Sequence, residues 1–150
     1  MQSVLPVLAV LGGILMLFAF TMLVPLAFAY FGGDPALYAY DGAIAITFAA
    51  GALLFFGCRR FKRELQPRDG FLLVSLVWAV LPAFGALPLM FHLRELSFTD
   101  AYFEAVSGLT TTGATVLTGL DALPTSINVW RCFMVLIGGM GILVLAVAIL

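Results

Sequence analysis

Residues 4–31 contain no charged side chain, and Thr21 and Tyr30 carry their only hydroxyls. As a helix rising 1.5 Å per residue, this stretch outreaches a bilayer's hydrocarbon core, roughly 30 Å thick. Lipid offers no partner to a free N–H or C=O, so a chain dominated by such runs is confined to helices that satisfy their own backbone. Three further apolar runs follow at about 41–57, 71–91 and 130–150. The composition agrees, with 63% hydrophobic and 10% charged residues, against about 25% charged in a soluble domain. The chain therefore reads as an all-α integral membrane protein of four spans. A net charge of −1 and the lack of a basic arm give no indication of a nucleic-acid partner. Ala27-Phe28-Ala29 superficially resembles a signal-peptidase site, but the apolar region is far longer than a signal peptide's and no basic segment precedes it.

Pro25 predicts a kink late in the first span. Gly32-Gly33-Asp34-Pro35 is a turn cluster short enough to make the first two spans an antiparallel hairpin. Tyr30, Tyr38 and Tyr40 gather there as an interfacial aromatic belt, and Asp41 is placed to cap the second span. Residues 58–70 hold Arg59, Arg60, Lys62, Arg63 and Arg68, five of the seven basic residues. The positive-inside rule puts this loop, and with it the amino terminus, in the cytoplasm. Its charge serves topology first, with docking of a cytosolic partner or anionic lipid as the alternative. Pro82 and Pro88 bend or end the third span. His92 reads as an exposed loop residue with no second metal ligand near it in sequence. Cys58 and Cys132 read as small packing residues near opposite membrane faces, so no disulfide between them is expected.

Between the third and fourth spans lies a different kind of segment. Ser97-Phe98-Thr99-Asp100 has capping-box spacing, so a helix starts at the outer surface and runs over 98–109. Some twelve residues rise only about 18 Å, too little to cross. Such a helix stops at depth and feeds irregular backbone, Ser107-Gly108-Leu109-Thr110-Thr111-Thr112-Gly113-Ala114-Thr115, into a place where it is tolerated only if buried in protein or lining a watery path. Ion-selectivity filters are built this way, from carbonyls that replace an ion's water. The helix's negative end suits a cation, and Gly113 permits positive φ. Thr-Thr-Thr-Gly is weak as a motif; a Gly-ended helix followed by a threonine-rich turn is the bland reading. Asp100 and Glu104 share a helix face. They are either cation-attracting groups at a pore mouth, or a cap and an internally hydrogen-bonded carboxylate, since a charge at depth needs a reason. Residues 116–129 return to the surface without helical periodicity, and Trp130 and Arg131 anchor the last span at the interface. In that span Gly138-Gly139-Met140-Gly141 allows close helix approach or forms a hinge beside a pore. The chain stops in apolar sequence at Leu150, which reads as a truncation.

Residues 98–115, then Trp130-Arg131 and Gly138-Gly139-Met140-Gly141-Ile142, resemble the first pore repeat of the Trk-type potassium uptake family, within the Trk, Ktr and HKT cation transporter superfamily. A hairpin ahead of the repeat is similar to the TrkH and TrkG branch. The resemblance covers essentially the whole chain. It implies a potassium-channel-like pore made of four helix, pore-loop, helix repeats. Gly113 is then the first of four filter glycines, the ion ligands are Thr111, Thr112 and Gly113, and the filter neighbours are Thr110 and Ala114. It also implies a homodimer, a cytosolic nucleotide-binding regulatory subunit of TrkA type, and the bacterial cytoplasmic (inner) membrane.

The reading is thus a transmembrane hairpin (1–57), a cytoplasmic basic loop (58–70) and one pore repeat (71–150). The repeat divides into helix 71–91, pore helix 98–109, filter 110–114 and helix 130–150. The expected activity is potassium uptake without covalent chemistry or a covalent cofactor, so the chain is not expected to be an enzyme. With one repeat, the other filter walls come from a longer parent chain. A small homo-oligomeric cation channel and a non-conducting membrane scaffold are the rival readings.

Overall fold

The computed structural model describes residues 4–60 and 66–149. Lys62 and Arg63 of the basic loop, and Leu150, lie outside the described residues. The helices are α1 (Val4–Thr21), α2 (Leu23–Gly32), α3 (Leu37–Cys58), α4 (Pro67–Gly85), α5 (Leu87–His92), α6 (Phe98–Leu109) and α7 (Thr125–Ile149). A short 3-10 turn at Leu120–Ala122 precedes α7. Among the described residues there is no strand. Four stretches are long and apolar enough to cross a membrane: Val4–Gly32, Leu37–Cys58, Pro67–His92 and Thr125–Val144.

Prolines divide two of these spans. Pro25 has no N–H for the carbonyl of Thr21, and α1 gives way to α2 across Met22. Pro88 does the same to Phe84, and α4 gives way to α5 at Ala86, whereas Pro82 stays inside α4. The carbonyl of Gly85, at that second break, accepts the indole N–H of Trp130 at 2.9 Å.

Several boundaries differ from those read in the sequence. α4 starts at Pro67 rather than 71, because Pro67 follows a capping box in which Asp69 accepts the Gln66 N–H at 3.0 Å. α7 starts at Thr125 rather than 130. α3 begins at Leu37, so Asp41 lies inside it and caps nothing. Asp34 takes that work. Its Oδ1 accepts the N–H of Ala36 at 2.9 Å, and its Oδ2 accepts the N–H of Ser126 at 3.0 Å, in the first turn of α7. Gly33 supplies the turn: at φ 62 its N–H returns to the carbonyl of Ala29, as does that of Asp34 at 3.0 Å.

The hairpin packs on the rest through small residues and aromatic rings. A Cβ at Gly12 would lie 2.6 Å from the Gly51 carbonyl, so α1 and α3 meet backbone to backbone. Tyr40 belongs to no aromatic belt: it is fully buried, and its hydroxyl donates to the carbonyl of Ser126 at 2.8 Å. Tyr30 and Tyr38 do stay exposed. Trp130 is also buried rather than interfacial, with its ring 5.6 Å from that of Phe18. His92 closes α5 and is half-buried rather than a loop residue. Cys58 and Cys132 are free thiols.

α6 wedges between α4 and α7. Gly108 faces Met134, and a Cβ on Gly138 would lie 1.8 Å from the carbonyl oxygen of Leu109, the last residue of α6. Gly138 is therefore a seat for the end of α6, which is the close-approach role of the glycine cluster. Gly139 has room, its nearest neighbour being a methyl of Thr111 at 3.7 Å.

Two tests follow from this packing. Gly138→Ala is expected to lower stability by about 1–3 kcal/mol through overpacking, while Gly139→Ala stays near wild type; melting in detergent compares them, and equal melting temperatures would refute the seat. The Asp34 contact makes a pH prediction. Burial alone raises the Asp34 pKa, but the Ala36 and Ser126 N–H groups and the nearby His92 outweigh it, leaving the group below its ordinary 3.8. Its contribution is present above pH 3.8 and fades as pH falls through the lowered value. Wild type is expected to outlast Asp34→Asn at neutral pH, with the gap closing below that window.

Candidate functional site

The end of α6 and the irregular segment after it, a strand only in the sense of a single unpaired stretch of backbone, form the site. Ser97 caps α6: its Oγ accepts the Asp100 N–H at 3.1 Å and donates to Asp100 Oδ2 at 2.7 Å. The helix then carries Glu104, Ser107, Gly108 and Leu109 into buried positions. Past Leu109 the backbone turns back on the helix. The N–H of Thr110 bonds to the carbonyl of Val106 at 2.8 Å, and that of Thr111 to Gly108 at 3.0 Å. The N–H groups of Thr112 and Gly113 both reach the carbonyl of Ser107, at 2.9 and 3.4 Å. The Thr110 hydroxyl donates to Val106 at 2.7 Å and lies 2.8 Å from that of Thr112. Ser107 Oγ donates to the carbonyl of Ala114 at 2.6 Å.

The two sides of this strand are unlike. Every N–H from 110 to 113 is bonded back to α6. Among the described residues, the carbonyls of Thr111, Thr112 and Gly113 accept no hydrogen bond. All three residues are exposed. Thr111 sits at φ 58 and Gly113 at φ 77. For a β-branched threonine that is an outlier worth about 1–2 kcal/mol. A Cβ on Gly113 would meet nothing within 4 Å, so its backbone angle, and not space, calls for glycine.

Glu104 stands behind the strand. It is 4% exposed, and its Oε1 accepts the Thr115 hydroxyl, the Val116 N–H at 2.6 Å and the Leu117 N–H at 3.3 Å. Its Oε2 pairs with Arg131 Nε at 3.3 Å. Arg131 Nη2 also donates to Thr115 Oγ1 at 3.2 Å. The internally bonded role is the one this geometry gives Glu104, and the capping role is the one it gives Asp100. Arg131 is accordingly an ion-pair partner and not only an interfacial anchor. A cavity of about 110 Å³ lies between strand, α6 and α7, lined by Glu104, Ser107, Gly113, Ala114, Arg131 and Cys132 among others.

Sequence reasoning placed Thr110–Ala114 after the short helix and singled out Ser107, Thr115 and Arg131 without assigning them their part in holding it. One signal was available for Arg131. A carboxylate at depth requires a cation, and only Arg94 and Arg131 lie outside the basic loop. Chemically, the strand offers neutral oxygens backed by the negative end of α6, which suits a monovalent cation losing its water. The oxygens come from one side only. Among the described residues, no group of three His, Cys, Asp or Glu side chains is arranged to hold a metal ion.

Comparison with known proteins agrees with the architecture. The family model described as TrkH, cation transport protein, matches residues 40–150. The Trk system potassium uptake protein TrkH of Halomonas elongata is 48% identical over 150 residues, covering 99% of this chain and 31% of that protein. Its namesake in Escherichia coli K12 is 46% identical over 142 residues, covering 94% and 29%. The crystal structure of the potassium transporter TrkH from Vibrio parahaemolyticus superposes with a TM-score of 0.89 at 46% identity, covering 95% of this chain and 31% of that one. The chain thus spans about a third of the length of these relatives. With the family model matching most of its residues and a solved relative sharing its helices, this chain belongs to the TrkH cation transport family.

Proposed function

We propose that this chain is the hairpin and first pore repeat of a potassium uptake protein, and that the carbonyls of Thr111, Thr112 and Gly113 are ligands for the passing ion. The unpaired carbonyls of Thr111, Thr112 and Gly113, on a strand whose N–H groups from 110 to 113 turn back to α6, are the observation that carries this reading. Thr110 and Ala114 flank the ligands; the Thr110 N–H and hydroxyl close α6, and the Ala114 carbonyl accepts from Ser107. The names of the Halomonas elongata and Escherichia coli relatives support potassium as the ion.

The proposed division is a hairpin over 1–57, a cytoplasmic loop over 58–70 and a pore repeat over 71–150. The amino terminus faces the cytoplasm of a bacterial cell, the protein sits in the inner membrane, and α6 enters from outside. The concentration of basic residues in the loop supports that orientation. The other three walls of the filter come from further repeats of a longer parent chain. That parent forms a homodimer and docks a cytosolic nucleotide-binding subunit of TrkA type. The ion moves down its electrochemical gradient, and no bond is made or broken.

Rubidium uptake by the full-length parent tests the ligand assignment. Gly113→Asp places a charged side chain on a left-handed residue among the ligands. It is expected to reduce uptake at least about tenfold with normal membrane insertion. Undiminished uptake would remove the filter assignment. Gly113→Ser is expected to conduct with weaker discrimination against sodium, read as stronger sodium inhibition of rubidium uptake.

A further inference from the structure

We propose that Glu104 and Arg131 are positioning residues that set the ion preference of the filter, by fixing the strand from behind without touching the ion. The strand is held at three places, one of them the Ala114 carbonyl, which takes the Ser107 hydroxyl at 2.6 Å. Below, the carbonyl of Ser107 takes the N–H groups of Thr112 and Gly113. Above, Glu104 Oε1 takes the Thr115 hydroxyl and the N–H groups of Val116 and Leu117. The carbonyls of Thr111, Thr112 and Gly113 accept no bond of their own among the described residues. Side-chain packing does not fix them: Gly113 has nothing within 4 Å of where its Cβ would be, and a cavity lies directly behind it and Ala114. The position of the carbonyls therefore depends on the polar pins.

Arg131 makes the upper pin possible. A carboxylate accepting from three donors on one oxygen concentrates charge in a site that is 4% exposed, and the guanidinium at 3.3 Å offsets it. The same guanidinium reaches Thr115 Oγ1, so strand, α6 and α7 are tied at one point. With its charge neutralised, Glu104 adds little field at the ion site. Selectivity among cations by neutral carbonyls depends on their number and spacing, which is what this tie controls.

The inference rests on the filter reading above, and the experiment separates the two. In the full-length parent, Arg131→Lys keeps the charge but loses the fork that spans Glu104 and Thr115. Glu104→Gln keeps one acceptor for the strand but turns an amide N–H2 toward Arg131. Glu104→Gln combined with Arg131→Met removes that opposition. Rubidium uptake and its inhibition by sodium are measured with membrane abundance. Each single variant is expected to insert and transport, with potassium-over-sodium preference reduced about tenfold, the scale of one charge-assisted hydrogen bond. The double variant is expected to regain part of the preference lost in Glu104→Gln. Single variants that insert and keep wild-type preference would overturn the proposal, and so would a double variant no better than Glu104→Gln. Failure of both single variants to accumulate would mark the pair as holding the fold only, which also overturns it. Gly113→Asp run in parallel tells the two readings apart. If it abolishes uptake while the Glu104 variants keep their preference, the positioning role alone is lost; if it transports normally, the filter reading falls and this inference with it.

Discussion

A bilayer has no water to complete a hydrogen bond, and every unusual feature of this chain is an answer to that shortage. A buried peptide group without a partner costs several kcal/mol, roughly 2–7 by different reference states. Helices settle most of the account internally. What remains is the backbone after α6, where the helix ends before it could cross a membrane. There the N–H groups of residues 110–113 are satisfied, while the carbonyls of the same four residues accept nothing among the described residues. Those carbonyls are exposed and so open to water or to a cation, which is what the proposed ligand assignment draws on.

Satisfying the donors requires help from well outside the strand. Ser107 and Glu104 both stand on α6, and Arg131 on α7 completes the charge balance. α7 is in turn located by the hairpin, through Asp34 on the Ser126 N–H and Tyr40 on the Ser126 carbonyl. Trp130 ties the same helix to the broken end of α4. The hairpin ahead of the repeat thus does structural work at the site without contributing an ion ligand: it fixes the start of the helix that carries Arg131 and Gly138.

Much that depends on neighbours in the chain was legible from the sequence, though the Gln66–Asp69 capping box was not, and what depends on distant partners was not. α6 could be read because Ser97 and Asp100 are three residues apart and the apolar run after them is short. The kink near Pro25 could be read because the missing N–H belongs to the proline itself. The first turn of α7 could not. Asp34, which caps it, is 92 positions away, and the stretch before it has no helical periodicity. Tyr40 and Trp130 looked like belt residues because aromatic composition near a span end is the same whether the ring faces lipid or protein. Glu104 was left open between two roles for a related reason: its cation is 27 positions further on, and spacing within one helix says nothing of it.

The ion pair behind the strand raises a question of economy. Buried pairs are poor stabilisers, since removing two charges from water consumes most of what their attraction returns, and apolar replacements are often as stable. An apolar residue at 104 would fill the space but would leave the Val116 N–H without an acceptor and that of Leu117 with only Thr115 Oγ1 at 3.1 Å. An amide oxygen would meet the same three donors with less charge, and a carboxylate oxygen holds them more strongly. At 4% exposure that carboxylate needs a cation. Arg131 is then a consequence of the strand's donors. The strand's donors are in turn a consequence of having its carbonyls free.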